Sequence, residues 1–190
     1  MGVTIYYQGQ LDRLEDLPGL VEELADIAGS MAWEFTRIER DEKNSEFAGI
    51  VLSPSDNCES ISFLFDRDGR LRNILDLVNG QIEPDPQLSY YNFVKTQFAE
   101  IETHLWIVGL FRYLKKNYLS NLKVTDEGEV WETGNVETLR NKREFLNGKI
   151  KQLGDALSQV TDLPENIEDL MDKIEETFRE MEEGKRTDDS

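Results

Sequence analysis

The chain has 190 residues and a formal net charge of −18, with 39 acidic against 21 basic side chains and one histidine. That balance argues against nucleic acid and anionic membrane as ligands, both of which need clustered Lys and Arg. Its single cysteine rules out an internal disulfide and fits a reducing cytoplasm. The length predicts one domain, or one domain with an appendage, able to bury roughly 70% of its unfolded surface without a metal or disulfide staple.

In chain order, Val3 to Gln8 is β-rich and predicts a strand paired inside a sheet. From Leu17 to Met31 the apolar residues Leu17, Leu20, Val21, Leu24, Ile27 and Ala28 recur at helical spacing. Asp16 is placed to cap that helix, Pro18 falls in its first turn and Gly29 near its end. Trp33 to Glu39 alternates, with Trp33 and Phe35 on one face, and Phe47 to Leu52 is apolar on both faces, as a central strand requires. A polar loop with Cys58 follows. Ile61, Phe63 and Phe65 then point inward from a strand that ends in the turn Asp66-Arg67-Asp68-Gly69. Leu71 to Leu77 fits either a return strand or a short helix. Residues 79–89 hold two of the five prolines and predict a long loop, the best candidate in the chain for a mobile or functional one. Tyr90 to Phe98 is strand-like.

The stretch Ala99 to Leu119 predicts the core helix. Acidic Glu100 and Glu102 open it, and Lys115 and Lys116 close it, matching a helix dipole. Its two apolar stripes, Ile101–Leu105–Val108 and Ile107–Phe111–Leu114–Tyr118, predict a largely enclosed helix. It is too short and too charged at both ends to span a membrane. Beyond it, Leu122–Thr125 and Glu129–Thr133 flank Asp126-Glu127-Gly128 as a second hairpin, with Trp131 on the return strand. From Val136 to Val160, Leu139, Leu146, Leu153 and Val160 repeat every seven residues, with Asn135 as a cap. Ile167, Leu170, Met171, Ile174, Phe178 and Met181 continue the pattern after a break. The expected architecture is α+β: residues 1–133 form a mainly antiparallel sheet packed on the buried central helix, followed by an antiparallel helical hairpin at 135–183 and a disordered tail at 184–190.

Candidate chemistry is sparse. His104 lies four residues from Glu100 on one helix face, a spacing that suits a metal or an oriented base. A zinc site needs further ligands and no second histidine exists, so the expected role is a hydrogen-bonded histidine at the core edge. On that reading His104→Gln costs about 1–2 kcal/mol. Cys58 stands beside Glu59, where negative charge opposes thiolate formation, and a Cys58–His104 dyad is a minor alternative. Asp66-x-Asp68-Gly69 has its glycine too early for a calcium loop. No phosphate loop or nucleophile elbow occurs.

The segments KTQFAEIETHLWIVGLFRYLKK (95–116), DEGEVWETG (126–134) and GIVLSP (49–54) resemble a group of uncharacterised bacterial proteins. That resemblance implies a bacterial cytoplasmic setting and assigns no catalytic residue. The expected function is a non-enzymatic protein-interaction or self-association module without cofactor or metal. Phe145, Met171, Phe178 and Met181 are its contact candidates, and an antitoxin- or immunity-like inhibitor of a basic partner is its more specific form. The alternative is a small enzyme or ligand- or metal-binding module, with a pocket near His104, Glu100 and the 79–89 loop and with Cys58 and Glu59 as further candidates.

Overall fold

The structure is a computed structural model that describes residues 3–40, 47–54, 57–73 and 92–159. Met1–Arg140 form one compact unit and Asn141–Ser190 a second. The first unit has an α+β architecture with two antiparallel sheets, where the sequence had predicted one. Strand β1 (Thr4–Gln8) is the centre of a three-stranded sheet, flanked by β6 (Asn92–Lys95) and β7 (Lys123–Asp126). The second sheet runs β2 (Glu34–Ile38), β3 (Ala48–Ser53), β4 (Ile61–Phe65), β5 (Leu71–Arg72). Leu71 therefore opens a return strand.

The two sheets join where β1 runs out. Leu71 donates its N–H to Gly9 O at 2.9 Å, Leu11 donates to Gly69 O at 2.8 Å, and Gln10 bridges Arg70. Deeper in, the Tyr7 hydroxyl donates to Ser62 O at 2.8 Å and accepts from Ser62 N–H at 3.1 Å. It satisfies a backbone pair on β4 beyond the two residues that β5 covers. All five residues of β4 are buried, Ser62 and Leu64 included, so both of its faces are covered rather than only the alternate positions.

Helix α1 (Leu17–Ser30) packs on β2 and β3 through Leu20, Leu24 and Ala28. Asp16 does not cap it; its carboxylate is held instead by Arg13, at 2.7 and 2.9 Å. Strand β2 is an edge strand, so Phe35 is exposed rather than tucked in. The predicted core helix is α2 (Ile101–Asn117), and Phe111 on its inner face meets Tyr7 and Phe63 with ring centroids 4.7 and 6.0 Å away. It is not enclosed. Trp106, Gly109 and Tyr113 face outward, so the helix is amphipathic with one buried side. Glu23 of α1 accepts hydrogen bonds from Tyr113 and Tyr118, tying the two helices together.

The second predicted hairpin is overturned. Residues Val130–Thr133 form a helical turn, α3, and β7 pairs with β1 rather than with that segment. Two left-handed residues, Glu129 (φ 61°) and Gly134 (φ 70°), bound the turn. Arg112 donates from α2 to the carbonyls of Val130 and Trp131, at 3.1 Å each. Helix α4 (Val136–Gln159) starts on Asn135, whose side-chain oxygen accepts the Glu137 N–H at 2.9 Å. In the second unit Phe145 is exposed, with Lys149 Nζ 5.9 Å from its ring centre. Met171, Phe178, Met181, the expected second helix and the 79–89 loop lie outside the described residues.

Candidate functional site

The only histidine is the centre of a buried polar chain. Thr96 directly follows β6, His104 stands in the first turn of α2, and Asp126 ends β7, so the imidazole spans the start of β1 and links the strands on either side of it. His104 Nδ1 lies 2.8 Å from Thr96 Oγ1, and Nε2 lies 3.1 Å from Asp126 Oδ2. Thr96 Oγ1 is also 3.2 Å from Val3 O. With Asp126 ionised, Nε2 carries a proton and donates to it. The one hydroxyl proton of Thr96 serves Nδ1 when the ring is neutral, and Val3 O when the ring is an imidazolium.

Asp126 does more than face the ring. Its carboxylate accepts N–H groups from Gly128 (2.7 Å), Val130 (2.9 Å) and Trp131 (3.1 Å). Those bonds wind the chain into α3 instead of a strand. Burial alone would raise this carboxyl, but the hydrogen bond and charge of His104, together with the Trp131 and Gly128 N–H groups, outweigh it. The group therefore sits below its ordinary value.

A hydroxyl, an imidazole and a carboxylate in a row are the parts of an acyl-transfer relay, yet here nothing can reach them. Thr96 and His104 are 0% exposed and Asp126 3%. A Cβ on Gly128 would stand 3.0 Å from His104 Cε1 and 2.9 Å from Leu139 Cδ1, so the glycine closes directly over the ring. The arrangement clasps two strands and a helix. Glu100 contributes only its carbonyl, which accepts the His104 N–H at 3.4 Å. His104→Gln keeps at most part of this chain, and the expected loss rises to about 2–3 kcal/mol, measured by urea unfolding.

Cys58 belongs elsewhere. Both His104 nitrogens are taken, so no Cys58–His104 dyad forms. Burial first, and Glu59 second, push the Cys58 thiol up to about 11. Iodoacetamide at pH 7.5 is expected to alkylate it about a hundredfold more slowly than glutathione. A rate matching glutathione would contradict that environment. Glu59 itself accepts the Lys95 N–H at 2.9 Å, which holds the Cys58 loop to β6.

Two surface grooves are described. One, of about 500 Å³, lies between α1 and the edge of the second sheet, lined by Leu17, Pro18, Val21 and Arg37 among others. Its cations are engaged: Arg37 with Glu22 at 2.8 Å, and Arg40 with the carbonyls of Phe65 and Asp66. The other, of about 400 Å³, lies where the sheets meet, lined by Gln8, Gly9, Gln10, Arg70, Asn121 and Lys123. Neither lining includes Thr96, His104 or Asp126.

No family model, curated protein or solved structure matches the chain. What bears on function is therefore the surfaces of the molecule itself.

The clearest of these surfaces is the outer face of the three-stranded sheet. β1 alternates, with Ile5 and Tyr7 inward and Tyr6 outward. Tyr6 stands opposite Phe93 on β6, ring centroids 6.5 Å apart, and both are exposed, at 38% and 45%. Lys95, Lys123 and Thr125 surround the pair on the exposed side. Sequence reasoning passed over this pair because the strand pairing that brings it together joins residues 87 positions apart, 6 and 93.

Proposed function

We propose that this chain is a non-enzymatic binding protein that works through contact with another protein or a second copy of itself, using the outer face of the β6–β1–β7 sheet. The observation that supports this is the exposed Tyr6–Phe93 pair. Aromatic side chains are costly to leave in water and are enriched at the centres of protein interfaces, where they offer large area for little lost conformational freedom. A ring of polar and basic groups around an apolar centre has the anatomy of a contact surface. The residues with the right chemistry for catalysis are sealed inside the clasp, which favours binding over turnover.

Photo-cross-linking on the full chain tests the reading. A benzophenone amino acid replaces Phe93 in one sample and exposed Glu34 on the far sheet in another, and both are irradiated in lysate of the source cells. Discrete adducts from position 93, absent from position 34, are expected; an adduct of twice the chain's mass identifies self-association. No adduct at 93, or the same pattern from both positions, contradicts the proposal.

A further inference from the structure

The groove at the end of this face carries the opposite charge to the rest of the molecule. Gln8 is two residues beyond Tyr6 on the same side of β1, about 7 Å along the strand, and pairs in register with Lys123. Arg70 enters from the second sheet, through its bridge to Gln10. The side chains of Arg70 and Lys123 have no ion-pair or hydrogen-bond partner among the described residues, and no carboxylate is among the described residues that line the groove. In a chain of 39 acidic residues, two uncommitted cations in one hollow are an exception to the surface around them.

Hydrogen-bond accounting points the same way. Two of the groove's acceptors are consumed internally: Asn121 Oδ1 takes the Gln10 N–H at 2.9 Å, and Gly9 O takes the Leu71 N–H at 2.9 Å. What remains is mostly donors, the Asn121 side-chain NH₂, the Gln8 amide, the Arg70 guanidinium and the Lys123 ammonium. A guanidinium and an ammonium flanked by amides match the oxygens of a carboxylate or phosphate group. The other groove lacks this feature, because its arginines are already bonded.

We infer that the Gln8–Arg70–Asn121–Lys123 groove binds an oxyanion, a carboxylate or phosphate group carried by whatever occupies the adjoining face. The inference rests on the reading of that face as a contact surface and names the chemistry at one end of it.

Titration of the full chain with inorganic phosphate and, separately, acetate tests it, followed by the side-chain NMR signals of Arg70 Nε–H and the Asn121 and Gln8 amides. At low ionic strength these signals are expected to shift and saturate with a dissociation constant of about a few millimolar, weakening as salt is added. Response to phosphate alone identifies a phosphate group, and a comparable response to acetate identifies a carboxylate. Arg70→Gln with Lys123→Gln should weaken binding at least about tenfold, equivalent to 1.4 kcal/mol. The charge-matched control, Lys116→Gln with Lys151→Gln, should leave it within about twofold. No shift with either anion, an undiminished shift in the groove variant, or an equal loss in the control would overturn the site. Adducts from position 93 without anion binding would leave the contact face standing and reject only the groove.

Discussion

Asp126→Ala is expected to be the most damaging single polar substitution in the chain, lowering the unfolding free energy by about 4–5 kcal/mol at pH 7. The carboxylate accepts from one imidazole and three backbone N–H groups. Removing it leaves a buried ring nitrogen and three amides without their acceptor. Hydrogen bonds to a charged group are each worth about 1.5–3 kcal/mol, and the losses overlap because the same turn unwinds. Against a total stability of about 5–15 kcal/mol, such a change takes much of the margin. Circular dichroism with urea unfolding measures it, and a loss under 1 kcal/mol would show that α3 holds without its carboxylate.

The same group gives stability a definite pH dependence. The folded carboxyl lies below its ordinary value, so the folded state holds this proton less tightly than the unfolded chain does. Its contribution is fully present above about pH 4, the unfolded value, and is lost as pH falls through the lower folded value. Urea midpoints of the wild type should fall over that window more steeply than those of Asp126→Asn. Parallel curves would show that another carboxylate controls the acid limb.

Gly49→Ala is the second large effect, and its cause is steric. Gly49 lies on β3 opposite Leu64 of β4, at φ +153°, and an added Cβ would stand 1.9 Å from the carbonyl oxygen of Phe63. No side-chain rotation relieves a clash with a backbone oxygen, so the two central strands must separate. That disrupts the pairing of the strand whose every residue is buried. A loss of about 4 kcal/mol or more is expected, with little soluble protein recovered. Gly19→Ala is the control, since a Cβ there meets nothing within 4 Å. Helix propensity makes that change neutral or stabilising by up to about 1 kcal/mol.

Local pattern made most elements readable. Apolar spacing placed α1, α2 and the start of α4, and the Asn135 cap and the turn at Asp66–Gly69 follow from side-chain chemistry acting over two to four residues. What failed did so for non-local reasons. Glu129–Thr133 reads as a strand on residue preference alone, but the Asp126 carboxylate collects its N–H groups into a helical turn, and that carboxylate is fixed by a histidine 22 residues earlier. The enclosed helix proved amphipathic because apolar residues such as Trp106 sit on its solvent side, where they still read as core in a one-dimensional pattern. His104 stood out by rarity, and Glu100 looked like its partner because four residues on a helix are visible in sequence. Thr96 and Asp126 were not visible, since sheet order brings them to the ring from opposite sides of β1. The outer face and its groove depend on the same strand order.

The central claim is that the Thr96–His104–Asp126 chain is a sealed structural clasp and not a relay. Hydrogen exchange of the His104 ring N–H toward Asp126, followed by NMR at pH 7 after transfer into D₂O, tests it most directly. A sealed clasp predicts a resolved ring proton that exchanges only as slowly as the most protected amides of β1 and β4, because only global unfolding exposes it. Loss of that proton within the dead time, while those amides remain, would mean that solvent reaches the imidazole in the folded protein and would contradict the account.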